Sequence, residues 1–144
     1  MRAVHSIAVS PPESGAARVE DEAMDLDALR VRIGRVGNAF VMQVIGEVDI
    51  STRPLLTSAL LDACGLVVPS RSLVLDLSGV THFGAAGIDA VELAERWCRA
   101  ERITLNVVVT PRIGFVLGLT DVGRRLRLVD SLVDAFHGNG EATG

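Results

Sequence analysis

The sequence contains no lysine and no tyrosine, a single tryptophan and only two cysteines in 144 residues. Each shortage excludes a class of function. Without lysine, all 14 basic side chains are Arg, outnumbered by 18 acidic ones for a net charge of −4. A nucleic-acid binder carries a basic stripe interleaved with aromatics. Here the only dense basic cluster is Arg124, Arg125 and Arg127, and aromatics are 3% of the chain. Cys64 and Cys98 stand 34 positions apart with no CxxC or HxxxH beside them, which is no zinc pattern. Long apolar runs are absent too. Stretches such as Leu73-Val74-Leu75 and Val107-Val108-Val109 are a few residues long, whereas a membrane-spanning helix needs about 20.

Catalytic signatures are equally scarce. The histidines are His5, His82 and His137, two of them near the chain ends, and no acid or thiol neighbours His82. There is no GxSxG nucleophile elbow, no GxxxxGK phosphate loop and no GxGxxG turn. Carboxylate pairs such as Glu92 and Glu95 read as the solvated face of a helix rather than an acid/base pair. The sequence therefore predicts neither an enzyme nor a bound metal or cofactor. The N-terminus carries Arg2 and His5 but no continuous apolar segment, so no secretory leader is expected. With two thiols, that points to a reducing, cytoplasmic location.

What is present is a core. Hydrophobic residues make up 49% of the chain, and the mean hydropathy is +0.38. One domain of this size buries roughly two-thirds of its unfolded surface. Residues 1–27, with Pro11-Pro12 and the acidic run Glu20-Asp21-Glu22, read as a flexible tail. The domain is expected over residues 28–138, and 139–144 as a frayed end.

Within the domain, Leu29, Val31 and Ile33 alternate with Arg30, Arg32 and Arg35, a half-buried strand. Gly37-Asn38 is a hairpin turn, and Phe40, Met42 and Val44 form the answering strand, closing at Gly46. Ser51 or Thr52 caps a helix over about 53–64, with Leu56, Ala59, Leu60, Ala63 and Cys64 on one face and Gly65 ending it. Ser72–Leu77 is a short strand covered on both faces and broken by Ser78-Gly79. A helix follows over about 85–100, with Ile88, Val91, Ala94 or Glu95, and Cys98 inward, and Trp97 packing near its end. Ile103–Val109 is a strand, Pro111–Leu119 a helix closed by Thr120–Gly123, and Arg127–Val129 an edge strand. Asp130 or Ser131 caps a last helix over about 132–137. The order ββαβαβαβα, with strands and helices alternating, requires an α/β fold: a mixed, mainly parallel sheet with an N-terminal hairpin and right-handed crossovers.

Four stretches lie in register along this frame. They are Gly46-Glu47-Val48-Asp49, Leu75-Asp76-Leu77-Ser78-Gly79-Val80-Thr81, the Gly87-Ile88 helix start, and Leu119-Thr120 with the later Asp130-Ser131. Together they resemble the STAS family, the sulfate transporter and anti-sigma factor antagonist domain, over about residues 29–136. The first is similar to that family's Gly-Glu-(Leu/Val)-Asp, the second to its Leu-Asp-Leu-Ser-x-Val, and the third to the end of its Asp-Ser-Ser-Gly. The resemblance implies a single STAS-type domain acting as an anti-sigma factor antagonist. Stand-alone members bind an anti-sigma factor that is itself a serine kinase and thereby release a sigma factor. Phosphorylation of a Ser in the Asp-Ser-Ser-Gly segment then ends the complex.

At that segment the chain departs from its family. Gly84, Ala85 and Ala86 stand where the resemblance puts Asp-Ser-Ser, so Ala85 replaces the phosphoacceptor. Ser78 and Thr81 flank the loop without substituting for it. The implied partner surface is His82, Phe83, Gly84, Ala85, Ala86 and Gly87. Asp49, Ser51 and Thr52 join it because both strand-to-helix loops open at one sheet edge. Two readings of the lost serine stand side by side: an antagonist blind to phosphorylation, and drift in a protein whose interface lies elsewhere. Cys64 and Cys98 each end a crossover helix, and they read either as small buried residues or as a redox pair that supplies a substitute switch. The alternatives to the antagonist are a stand-alone STAS subunit of a transport system, and a nucleotide- or small-ligand-sensing module.

Overall fold

The computed structural model describes residues 4–7, 22–25, 28–67 and 71–141. Strands β1 (Val4–Ile7), β2 (Glu22–Asp25), β3 (Leu29–Val36) and β4 (Ala39–Val48) come first. Helix α1 (Arg53–Val67), strand β5 (Ser72–Phe83), helix α2 (Ala85–Ala100) and strand β6 (Thr104–Val108) follow. The chain ends with α3 (Pro111–Gly118), α4 (Asp121–Arg125), β7 (Arg127–Val129) and α5 (Leu132–Glu141).

The seven strands form one sheet in sequential order. β1 to β4 pair antiparallel, and β4 to β7 pair parallel. The α/β class and the hairpin Leu29–Val48 are as the sequence predicts, and across the five strands it expected, β3 to β7, the sheet is mainly parallel. Two strands lie outside that expectation: Val4–Ile7 and Glu22–Asp25, placed in a segment read as a tail, extend the hairpin's open edge. The rest of residues 1–27 lies outside the described residues, as do 142–144.

The main core fills the face of the sheet covered by the crossover helices. Leu29, Val31, Ile33, Met42 and Val44 of the hairpin meet Leu55, Leu56, Ala59, Leu60 and Ala63 of α1 there. Val91, Ala94 and Cys98 of α2 and Ile113 and Leu117 of α3 complete it. Strict alternation along β3 and β4 buries one face and leaves Arg30 and Arg32 exposed on the other. A smaller core lies on the opposite face, where Ala135, Leu132 and Phe136 of α5 cover Val74 and Val108. Residues of β5 therefore pack on both sides, which is why Leu73-Val74-Leu75 is apolar throughout.

Several boundaries differ from the sequence reading. Gly65 does not end α1; the helix runs to Val67, whose side chain is wholly buried and holds the last turn down. Ser78-Gly79 does not break β5 either. Twice along its pairing with β4, β5 spends one extra residue: Gln43 to Ile45 spans Asp76 to Gly79, and Gly46 to Glu47 spans Val80 to His82. These are bulges, which bend a strand and re-aim its side chains. Here they turn Val80 into the core after Leu73, Leu75 and Leu77, and leave Thr81 and His82 outside. The buried Asp76 carboxylate accepts the Ser78 N–H at 2.9 Å and its hydroxyl at 2.7 Å, which fixes the first bulge.

Thr120–Gly123 does not simply close α3. The Thr120 hydroxyl accepts the Gly123 N–H at 3.0 Å and caps a further short helix, α4. That helix brings Arg125 within 3.5 Å of Glu95, to which Arg99 also reaches at 3.7 Å. Glu95 is 8% exposed and paired, not part of a solvated face. Of the two capping candidates for α5, Ser131 serves: its hydroxyl accepts the Asp134 N–H at 3.2 Å. Trp97 is partly exposed at 37% rather than fully packed.

Gly46 carries a backbone constraint that other residues do not meet. Its φ is +113°, and a Cβ there would collide with the Ala28 carbonyl. That carbonyl accepts the Glu47 N–H at 2.8 Å, so the two strands cannot separate to make room. Gly46→Ala is expected to lower stability by about 2 kcal/mol or more. Gly65→Ala, inside a helix with open space around the Cβ, is expected to raise it by about 0.5–1 kcal/mol. Urea unfolding midpoints of the two variants against wild type check both signs.

Candidate functional site

The parallel pairing of β4 and β5 ends with Val48 beside Phe83, so both strands release their loops at the same sheet edge. The Gly84 N–H still donates to the Val48 carbonyl at 3.4 Å, joining the two loops by backbone. The C-terminal edge of parallel strands is where α/β folds place their sites.

The loop after β4 is built by Asp49. Its carboxylate accepts the Ser51 N–H at 2.9 Å, the Ser51 hydroxyl at 2.7 Å and the Thr52 N–H at 3.1 Å. The start of α1 is thus capped from Asp49, whose carbonyl also takes the Arg53 N–H at 2.9 Å. Ser51 and Thr52 are not the cap that the sequence suggested; they donate to it. The Thr52 hydroxyl accepts the Asp49 N–H and donates to the Glu47 carbonyl, both at 2.9 Å, and Thr52 is 2% exposed. With the Asp49 carboxylate engaged by the Ser51 and Thr52 N–H groups and Thr52 buried, Ile50 is left at 82% exposure.

The second loop is the junction of β5 with α2. Gly84 is the N-cap residue, and no side chain caps the helix. The first turn contains no acidic residue. The Gly84 carbonyl takes the N–H groups of Gly87 and Ile88 at 2.9 and 3.2 Å. Ala85 points to solvent while Ala86 and Gly87 are buried. The helix starts this close to the strand because residue 87 has no Cβ: one would stand 2.5 Å from the Phe83 ring. Across the two loops, Arg53 at the start of α1 pairs with Asp89 in α2 at 3.1 Å.

The structure brings together the nine residues expected at the partner surface. Ser51, His82 and Ala85 are exposed, Asp49, Phe83 and Gly84 half-buried. Thr52, Ala86 and Gly87 are buried and hold that surface up from beneath. Ile50 was missed. Its signal was available: an isoleucine in a loop, outside any strand or helix period that would bury it. Cys98 is buried in the core. Cys64 lies in α1, and its side chain is outside the described residues. Among the described residues no three His, Cys, Asp or Glu side chains converge on a point that could hold a metal. No described helix is long and apolar enough to cross a membrane.

A module of this architecture, with its paired loops at the end of β4 and β5, has a family. The model of the STAS domain matches residues 30–135, and the chain belongs to the STAS domain family. Among solved structures it is similar to an anti-sigma factor antagonist from Mycobacterium paratuberculosis. The identity is 26%, over 79% of this chain and 96% of that one, with a TM-score of 0.67. It shares its fold with the anti-sigma factor antagonist SpoIIAA in its unphosphorylated form, at 11% identity and TM-score 0.58 over 77% of this chain and 97% of that one. The phosphorylated form of the Bacillus cell fate determinant SpoIIAA gives 13% and 0.57 over 74% and 96%. No curated protein matches the sequence.

The Ser51 hydroxyl, donating to the Asp49 carboxylate, holds that group below its ordinary pKa of 3.8; the Thr52 and Ser51 N–H groups act the same way, against the opposing loss of hydration. A carboxylate depressed on folding stabilises the native state fully above its ordinary pKa and loses that contribution as pH falls through it and below. Thermal unfolding measured at about pH 6 and about pH 3 is therefore expected to show a smaller acid-induced drop for Asp49→Asn than for wild type. Equal drops would show that the Asp49 loop contributes nothing to acid sensitivity.

Proposed function

We propose that this protein is an anti-sigma factor antagonist that binds a serine-kinase anti-sigma factor, frees its sigma factor, and is not switched off by phosphorylation. Membership of the STAS family and the likeness to a mycobacterial antagonist along 96% of that chain support the first part. The second part is carried by one observation. The exposed position at the start of α2, beside the Asp49 loop, is Ala85, which has no hydroxyl.

The physics of the switch explains why that position matters. A phosphate there adds a charge of about −1.5 to −2 and three acceptor oxygens. The helix N-terminus tolerates such a charge, but an interface fitted to a small neutral side chain does not. With Ala85 that position stays neutral whatever the kinase does. Asp49, Ser51, His82, Phe83 and Gly84 would surround Ala85 in the interface, with Ile50 as its apolar anchor. Exposed apolar side chains that become fully desolvated carry most of the binding energy at such surfaces.

The test is capture on the immobilised protein from lysate of the source organism, with and without ATP. The expected result is a serine-kinase anti-sigma factor held equally in both conditions, with no phosphate on residues 78–87 by mass spectrometry. Ala85→Ser is expected to restore phosphorylation and ATP-dependent release. Ile50→Asp is expected to weaken capture by about tenfold or more without unfolding the protein. Recovery of transporter subunits in place of a kinase would move the function to a transport-associated STAS subunit. Phosphate on Ser78 or Thr81 would remove the claim of phosphorylation blindness.

A further inference from the structure

β5 is longer than its neighbour. It pairs with β6 only over Ser72–Asp76, and its remainder, still paired with β4 as far as Phe83, overhangs the end of β6. β6 gives way at Val108 to the start of α3, capped by Thr110, whose hydroxyl accepts the Ile113 N–H at 3.2 Å. Between the overhang and α3 lies a cavity of about 730 Å³. Its size is within the ~300–1,000 Å³ range of small-molecule sites.

Val80 and Phe83 on the strand and Pro111, Ile113 and Val116 on the helix supply apolar walls; between the two strand residues, Thr81, whose hydroxyl donates to the Gly46 carbonyl at 3.3 Å, and His82 also line it. One charged side chain lines it, Arg112 on the first turn of α3. Arg112 makes no ion pair or hydrogen bond among the described residues, and no acidic residue lines the cavity. Arg53 is matched by Asp89 and Arg124 by Asp121, whereas Arg96, Arg102 and Arg127 are exposed without a side-chain partner among the described residues; what sets Arg112 apart is that it lines a cavity. The Thr110 hydroxyl, having accepted from Ile113, has its own hydrogen left to donate. A largely apolar slot that is also lined by an unpaired guanidinium, a hydroxyl free to donate and the His82 ring suits one ligand chemistry. That is a single planar oxyanion, which Arg binds through two parallel hydrogen bonds, joined to an apolar body that fills the slot.

We propose that this cavity is a binding site for a small carboxylate with an apolar body. The inference does not need the partner reading, since ligand binding is tested without a partner, although His82 and Phe83 line the cavity and also belong to the proposed partner surface. Its position nonetheless gives it a consequence. The Phe83 ring walls the cavity and also packs against Gly87 at the start of α2. A bound molecule therefore touches the side chain on which the exposed Ala85 turn is seated.

The probes are octanoate, acetate and octan-1-ol, titrated into the isotopically labelled full chain and followed by amide NMR at neutral pH. Octanoate is expected to bind saturably at one site, shifting the signals of Thr81–Phe83 and Arg112–Val116. Acetate, which lacks the apolar body, and octanol, which lacks the charge, are each expected to bind at least tenfold more weakly. Arg112→Gln, an exposed position that does not threaten folding, is expected to weaken octanoate by about tenfold and leave octanol unchanged. Val116→Trp fills the slot and is expected to abolish both. Non-saturating shifts, shifts away from these residues, octanol binding as tight as octanoate, or an Arg112→Gln variant that binds octanoate like wild type would each overturn the proposal.

Discussion

Everything at the candidate site depends on how β4 and β5 pair. The two strands run parallel, so both deliver their chains to the same edge, and the last pair, Val48 with Phe83, sets the two loops side by side. The pairing is not uniform. Two bulges on β5 absorb one extra residue each, and without the first Val80 would face away from the core. Asp76 pins the first bulge from inside the sheet through Ser78. A carboxylate so placed is tolerable because the bulge supplies it with an N–H and a hydroxyl. The Leu-Asp-Leu-Ser stretch is therefore a backbone device, and the surface at Gly84–Gly87 is positioned by it from several residues away.

Much of the fold was legible because its signals are local. The alternation of Leu29, Val31 and Ile33 with arginines, the Gly37-Asn38 turn, and Pro111 after Thr110 each name an element through one physical preference. What escaped was non-local. Gly65 looks like a helix stop, but the burial of Val67 outweighs the roughly 1 kcal/mol that a helical glycine costs. Ser78-Gly79 looks like a break, but the partner strand holds β5 together across it. α4 escaped because five residues have no period to detect, and only the Thr120 cap announces it. Glu95 was misjudged with it, since the arginine that neutralises it comes from α4.

The site was legible in position and not in detail. Adjacency of the Asp49 and Gly84 loops follows from parallel topology, without side-chain information. Which residues of each loop face outward does not follow. Thr52 and Ser51 are chemically alike and adjacent, yet one is buried and bonded to Glu47 while the other is exposed. The difference comes from Asp49, whose carboxylate captures both N–H groups and dictates the turn. The same turn ejects Ile50: its place outside any strand or helix period was legible, but the turn that exposes it was not.

On the proposed reading, the residues around Ala85 also define what a partner would gain there. α2 begins with no capping side chain and no acid in its first turn, so the Ala85 and Ala86 N–H groups have no side-chain acceptor among the described residues. A helix start left in this state carries partial positive charge. The family's Asp-Ser-Ser would supply a carboxylate and hydroxyls at this point; Gly84-Ala85-Ala86 supplies none. An interacting surface then finds two kinds of free energy side by side: orphan N–H groups to be accepted, and Ile50 to be desolvated. The first is a property of the neutral Gly84–Ala86 loop and the second of the Asp49 loop beside it. On the proposed reading, the same three substitutions that remove the switch leave the contact itself intact.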